Sequence, residues 1–242
     1  MRAPGAAFMA SCRVAVGRDG FAVVPRAVCG ESVAALRRAL DAVADSSPGV
    51  RRRGGVYAIR NLLEASPGVR AYAQSSEALS LVEPVLGPGC FAVRGTLFDK
   101  TPDARWKVAW HQDLSIAVRE RRDVEGFGPW SLKAGVWHVQ PPARVLETML
   151  ALRLHLDACD ESSGALRVVP GSHARGRLSR EEIERCLGAA RPVTCAAPRG
   201  GALLMRPLLL HSSPTPRVVS RRRVIHLEYA AAALPGGLEW RR

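Results

Sequence analysis

Aromatic residues make up only 5% of the 242-residue chain, and lysine is nearly absent. Lys100, Lys107 and Lys133 are the only lysines, so the net charge of +13 is almost entirely arginine. The arginines are scattered, with Arg51–Arg53 and Arg221–Arg223 as the densest runs. No finger, helix-turn-helix or base-stacking motif accompanies them, so the basic balance does not point to nucleic acid. The six cysteines include no C-x-x-C pair, which argues against a zinc ribbon. No apolar run approaches the roughly 18 residues of a membrane span. The opening M-R-A-P-G-A-A-F-M-A-S-C-R is too short and too interrupted for a secretory signal. These absences lead us to expect a cytoplasmic protein with reduced thiols and neither a membrane nor a nucleic-acid partner.

At 47% hydrophobic residues the chain can build a sizeable core, and residues 1–242 are expected to form a single domain. Residues 15–88 read as a mostly helical part. D-G-F-A-V-V-P (19–25) is a short buried strand stopped by proline. In 29–45, Val33, Leu36, Leu40 and Val43 recur at helical spacing. Residues 46–55 read as a loop, and 57–87 as two short helices broken at Pro67. From Cys90 the texture changes. Segments 90–100, 106–118, 148–157, 165–173, 191–197, 201–211 and 222–230 read as strands separated by turn residues. Helix 179–188 is inserted among them, with Ser179 and Glu182 as a capping box. Residues 119–145 form a long Gly- and Pro-punctuated loop, the kind that serves as a lid. The fold class is mainly β with flanking α-helices (α+β), an antiparallel sandwich or barrel over 90–230.

Residues 110–113 read W-H-Q-D. On a strand, residues two apart share a face, so His111 and Asp113 project together and Gln112 points away. An imidazole and a carboxylate on one face can hold a metal. A second imidazole would complete the two-His, one-carboxylate set of non-heme Fe(II) oxygenases, which leaves positions open. The remaining histidines are His138, His155, His173, His211 and His226. His211 ends an apolar strand, and Arg222 follows eleven residues later on the next one. A guanidinium there is suited to gripping a carboxylate.

H-Q-D at 111–113, S-G-A-L-R-V-V-P-G-S-H at 163–173, H-S-S at 211–213 and R-R-V-I-H-L-E-Y at 222–229 resemble the phytanoyl-CoA dioxygenase family over roughly residues 15–240. The resemblance implies a double-stranded β-helix (a cupin-like jelly roll) with Fe(II), 2-oxoglutarate as cosubstrate and O2. It implies His111, Asp113 and His211 as iron ligands, and Arg222 and Ser213 on the far carboxylate of 2-oxoglutarate. It also places Gln112 near the cosubstrate, despite its strand parity. Arg153 stands where some members have a tryptophan, and offers a second charge to the keto acid or to an anionic substrate. Thr96 completes the residues expected around the cosubstrate. Arg221 and Arg223 flank Arg222 and remain alternatives to it. With Arg222 facing inward, Ile225, Leu227 and Tyr229 form the apolar opposite face.

The implied activity is hydroxylation, or another oxidation, of an unactivated C–H of a small molecule, with release of succinate and CO2. A non-catalytic or non-oxygenase metal protein on the same barrel is the alternative. Trp130, in the 119–145 loop, is expected to cover the substrate, and Arg60 and Asn61 to meet substrate at the barrel mouth. The state of assembly is open between monomer and homodimer.

Overall fold

Period-two alternation in three adjacent strands creates two unlike faces. In β4 (Phe91–Lys100) the residues Arg94, Thr96, Phe98 and Lys100 turn one way. In β14 (Arg222–Ala230) Arg222, His226 and Glu228 join them, while Ile225, Leu227 and Tyr229 turn to the opposite side. β9 (Met149–His155) contributes Arg153 to the polar face and Leu150, Leu152 and Leu154 to the apolar one. This is the sheet alternation expected when one face packs on helices and the other lines a site.

The computed structural model describes residues 4–43, 46–47, 49–52, 56–101, 103–218 and 221–241. Helix α1 (Ala6–Asp19), strand β1 (Phe21–Val24) and helix α2 (Gly30–Asp41) open the chain. Strands β2 (Val50–Arg52) and β3 (Val56–Ile59) follow, then helices α3 (Leu62–Ala65), α4 (Pro67–Ala73) and α5 (Ser76–Leu86), which lead into β4. Next come β5 (Val108–His111), β6 (Ile116–Val118), β7 (Trp130–Lys133), β8 (Val136–Val139) and helix α6 (Ala143–Glu147), before β9. Strand β10 (Leu166–Val168), a 3-10 turn (Ser172–Arg175) and helix α7 (Arg180–Ala189) lead to β11 (Val193–Cys195), β12 (Ala202–Met205), β13 (His211–Ser213) and β14.

Seven strands form the main antiparallel sheet in the order β1-β12-β9-β14-β4-β3-β2. A second sheet runs β11-β10-β13-β5. The site cavity lies between the two, lined from both, which is the jelly-roll arrangement. The outer face of the main sheet is covered by α1, α2, α4 and α5. Met9, Cys12, Val16, Val33, Leu36, Val69 and Leu81 pack there against Leu152, Leu154, Ile225 and Tyr229. Each such fully buried apolar side chain contributes about 1.5–3 kcal/mol. Tyr229 also donates its hydroxyl to Ala73 O at 2.8 Å, which ties the sheet to α4.

Several expectations change. Helix α1 was not anticipated, yet its Met9, Cys12 and Val16 are buried at helical spacing. Part of the loop expected over 46–55 is β2, paired with β3; residues 48 and 53–55 of that stretch lie outside the described residues. Segment 57–87 starts in β3 and then holds three helices, with Pro67 opening α4 at the position where its missing N–H costs nothing. The expected strand 106–118 splits into β5 and β6, which belong to different sheets. The apolar segment 201–211 also divides, so His211 begins a strand of the second sheet rather than ending one of the first. The 119–145 loop is built: β8 pairs with β7 on one side and with β6 on the other in a third sheet, and α6 follows. The capping box of α7 is as expected, with Ser179 Oγ accepting from Glu182 N at 3.2 Å and Ser179 N donating to Glu182 Oε2 at 2.7 Å. Among the described residues no helix is long and apolar enough to cross a membrane, and all six cysteines are unpaired.

Candidate active site

Register arranges the polar face of the main sheet in rows. Lys100 pairs with Arg222, Phe98 with Val224, Thr96 with His226 and Arg94 with Glu228. On the other side of β14, His155 pairs with Val224 and Arg153 with His226. These rows floor a cavity of about 150 Å³ whose opposite wall carries Val108, His111, Asp113, Leu166, His211 and Ser213.

β5 and β13 are antiparallel partners, and His111 lies directly opposite His211. Their rings stand 4.2 Å apart. Asp113 follows β5, held by its backbone N–H to Pro207 O at 2.9 Å. Each histidine Nδ1 sits 2.8 Å from a carbonyl two residues earlier, Ala109 O for His111 and Leu209 O for His211. A carbonyl can only accept, so both Nδ1 atoms carry the proton and both Nε2 lone pairs remain free. Those Nε2 atoms face Asp113: His111 Nε2 lies 3.7 Å from Oδ1 and His211 Nε2 lies 3.7 Å from Oδ2. Such separations are too long for hydrogen bonds. Three ligand atoms of complementary type therefore converge within 4.8 Å with nothing shared among them.

The electrostatics suit a cation. Burial pushes His211 down to about 4, despite the Asp113 carboxylate, so its imidazole is neutral at pH 7. The surrounding protein alone would raise Asp113, but His211, His226, His111 and Arg94 hold it below the usual carboxylate range. A neutral imidazole at His211 and an ionised carboxylate at Asp113 are protonation states that suit a divalent metal.

The first row is a cationic dead end. Arg222 is buried, and its Nη1 donates to Gly164 O and, at 3.3 Å, to Cys159 Sγ. Its Nε has no partner. Ser213 Oγ donates to Gly164 O at 3.0 Å and accepts from Lys100 Nζ at 2.7 Å. Lys100 also donates to Pro214 O at 2.9 Å. Gly164 has φ +77, and a Cβ there would meet Pro214 O at 2.7 Å, so only glycine lets its carbonyl approach both donors. Lys100 is 1% exposed. Burial, then the Arg222 charge, pushes its ammonium down to about 7. The flanking arginines are committed elsewhere. Arg221 forks onto Asp99 with contacts of 2.7 and 3.0 Å, and Arg223 pairs with Asp157 at 2.9 Å. This leaves Arg222 as the inward member of the triplet.

Behind this end runs a polar chain. Arg153 Nη1 donates to His226 Nδ1 at 2.9 Å, because arginine cannot accept. His226 Nε2 therefore carries its proton and faces Glu228 Oε1 at 3.3 Å. Glu228 also faces Arg94 Nη1 at 3.3 Å. Arg153 Nε and Thr96 Oγ1 are buried in the cavity wall without partners, as groups awaiting a polar ligand would be.

Four expected contact residues lie elsewhere. Gln112 is buried on the far side of β5's end, where its Nε2 donates to Gly176 O (2.8 Å) and Leu208 O (2.6 Å) and its Oε1 accepts from Leu178 N (2.9 Å). Strand parity prevailed, and Gln112 is outside the cavity. Trp130 is in β7, opposite Val139, edge-on to Trp137 at 6.4 Å and under Arg121. It packs in the apolar cluster beneath the third sheet and does not line the cavity. Arg60 and Asn61 do not line this cavity; Asn61 lines a smaller one that Arg94 shares and donates Nδ2 to Ala134 O at 3.1 Å. Of the histidines weighed as third ligand, only His211 joins the cluster. His138 is buried in β8 with Nδ1 on Val136 O, and His173 Nε2 sits by Gly17 O. His155 is buried on the same face of β9 as Arg153 but does not line the cavity, and it is pushed down to about 3 by burial and Arg153.

Lys100, Arg94, Phe98 and Trp106 were not anticipated as lining residues. A signal existed for three of them: on the predicted strand 90–100, Arg94, Phe98 and Lys100 share the face of Thr96.

A family model for phytanoyl-CoA dioxygenase (PhyH) matches residues 16–224. Among solved structures, AviO1 from Streptomyces viridochromogenes Tue57 superposes with a TM-score of 0.68 at 22% identity, over 94% of this chain and 96% of its own. SnoK, a non-heme alpha ketoglutarate dependent carbocyclase from nogalamycin biosynthesis, gives a TM-score of 0.70 at 15% identity, over 92% and 84%. EctD from S. alaskensis, solved with 2-oxoglutarate and 5-hydroxyectoine, gives 0.70 at 20% identity, over 95% and 77%. At these identities the structures speak for a shared fold. No curated protein matches the sequence significantly.

Proposed function

The chain belongs to the phytanoyl-CoA dioxygenase family, and from that premise we propose that it is an Fe(II)- and 2-oxoglutarate-dependent oxygenase that hydroxylates an unactivated C–H of a small molecule. The observation that carries this reading is the pair of free Nε2 atoms, on His111 and His211, turned toward one carboxylate above a buried cationic dead end. His111, Asp113 and His211 would hold the iron. Arg222, Ser213 and Lys100 would hold the far carboxylate of 2-oxoglutarate. When bound, iron and 2-oxoglutarate activate O2 for C–H oxidation, with release of succinate and CO2.

The protein's own part is placement and shielding. The two Nδ1–H bonds to Ala109 O and Leu209 O fix the imidazole tautomers and aim both Nε2 atoms inward. The arginine in the dead end presents a planar fork suited to a carboxylate. Lys100 adds a second charge where Ser213 Oγ already positions it. Phe98, Trp106, Val108 and Leu166 supply the apolar wall that keeps water from the reacting carbon. Thr96 Oγ1 and Arg153 Nε, buried without partners, would meet the cosubstrate's remaining oxygens.

The test is spectroscopic. Fe(II) and then 2-oxoglutarate are added to metal-free protein under nitrogen. A weak visible charge-transfer band that needs both additions supports the reading. Metal binding without any response to 2-oxoglutarate would instead make this a non-oxygenase metal site.

A further inference from the structure

The Arg94–Glu228 row lies at the opposite end of the cavity floor from the Lys100–Arg222 row. Residues 222 and 228 are six apart on one strand, which is about 20 Å at roughly 3.3 Å per residue. This far end is also basic, and nothing in the proposed chemistry uses it. Arg94 lines the cavity. Next to it, Asn61 Nδ2 bonds Ala134 O at 3.1 Å, stapling the start of α3 to the β7–β8 turn. That bond brings the chain neighbours of its two partners, Arg60 and Lys133, to the same place. Both are half-buried, and among the described residues no ion pair joins either one to a carboxylate. The nearby carboxylate, Glu228, is already shared by Arg94 and His226 at 3.3 Å each. Burial and the two arginines together depress the Lys133 ammonium, and Arg60 is depressed by burial and by Arg51 and Arg94. Like charges held together out of water raise the free energy of the empty site, and a bound anion relieves it.

We propose that the substrate is an anion whose carboxylate or phosphate group is received at this end by Arg94, Arg60 and Lys133. The inference rests on the oxygenase reading and adds the class of substrate to it. The two anchors divide the labour. Cosubstrate anion is held at the Arg222 end, substrate anion at the Arg94 end, and the metal ligands overhang the floor between them.

The probes are octanoate, octyl phosphate and the uncharged octanol, titrated calorimetrically into the full chain loaded with Fe(II) and 2-oxoglutarate under nitrogen. At least one anion binds ten times or more tightly than octanol, and the tighter of the two identifies carboxylate or phosphate as the group recognised. The doubly substituted Arg60→Gln, Lys133→Gln protein loses tenfold or more of that affinity, and its visible band reports that it is folded and loaded. Equal binding of octanol, undiminished anion binding by the double variant, or no binding of either anion overturns the proposal. Loss of the visible band on adding anion also overturns it, because the anion then sits at Arg222. If 2-oxoglutarate gives no band at all, the oxygenase reading fails. Titration of the same probes into metal-free protein then judges the basic end alone.

Discussion

Lys100 and Arg222 are direct cross-strand partners on β4 and β14, and both side chains are buried on the same face. Two like charges opposite one another in a sheet are destabilising unless an anion joins them. Burial, and then the Arg222 charge, pushes Lys100 down to about 7. A bound dicarboxylate favours the protonated lysine, so binding takes up a proton whenever the free site has lost it. The KM for 2-oxoglutarate is therefore expected to be flat below pH 7 and to climb above it, by up to about tenfold per pH unit. Lys100→Met should lower affinity at pH 6.5 and flatten the climb. Steady-state 2-oxoglutarate consumption between pH 6 and 9 checks both, and a wild-type KM that does not change over that range counts against the role.

The triplet Arg221–Arg223 separates into one inward and two outward members. Arg222→Leu removes the fork from the dead end, and the KM for 2-oxoglutarate should rise at least about 30-fold, the cost of truncating one partner of a buried charge pair. Arg223→Leu instead frees Asp157, which Arg37 also holds. It should lower the melting temperature and leave that KM nearly unchanged. Measuring both quantities on both variants separates anchor from strut.

His111→Ala removes one of the three converging ligand atoms and leaves the others too few to hold iron in place. Turnover should fall at least about 1000-fold, and the visible band should vanish. His155→Phe is the contrast. Neither His155 nitrogen has a partner, and the residue does not line the cavity. That variant should retain the band, which anaerobic spectra of the two proteins side by side would reveal.

Much of this site is legible in residue spacing because strand geometry is periodic. Residues at i and i+2 share a face, which placed His226 and Glu228 inside and Ile225, Leu227 and Tyr229 outside. What periodicity cannot give is where a strand stops. The apolar stretches 106–118 and 201–211 each look continuous, yet each divides between two sheets. Asp113 lies beyond β5, and its backbone bond to Pro207 O, 94 residues away, holds it there. Long-range bonds of this kind leave no local trace. The same holds for β7 and β8, whose Gly- and Pro-punctuated sequence reads as loop. Pairing of Trp130 with Val139, and Trp137 against Trp130, turns it into packed structure. Lys100 is a different case, since its face was readable and its chemistry was not. Only the folded register sets it beside Arg222.

Gln112 offers the sharpest contrast between neighbourhood in sequence and role in structure. It sits between two proposed iron ligands, yet all its polar atoms are taken by backbone: Gly176 O, Leu208 O and Leu178 N. These bonds tie the segment after the 3-10 turn to the segment leading into β13, on which His211 stands. Gln112→Ala would leave two carbonyls and an N–H short of partners. Each such buried group costs about 1–3 kcal/mol unless water replaces the amide. The expected result is a clear loss of stability, read as a lower denaturation midpoint at an unchanged denaturant slope. The KM for 2-oxoglutarate should stay within about twofold, because no Gln112 atom faces the cavity. A variant of native stability whose KM for 2-oxoglutarate rises tenfold would place Gln112 on the cosubstrate after all, and would mean that β5 turns its end by one residue when the site is filled.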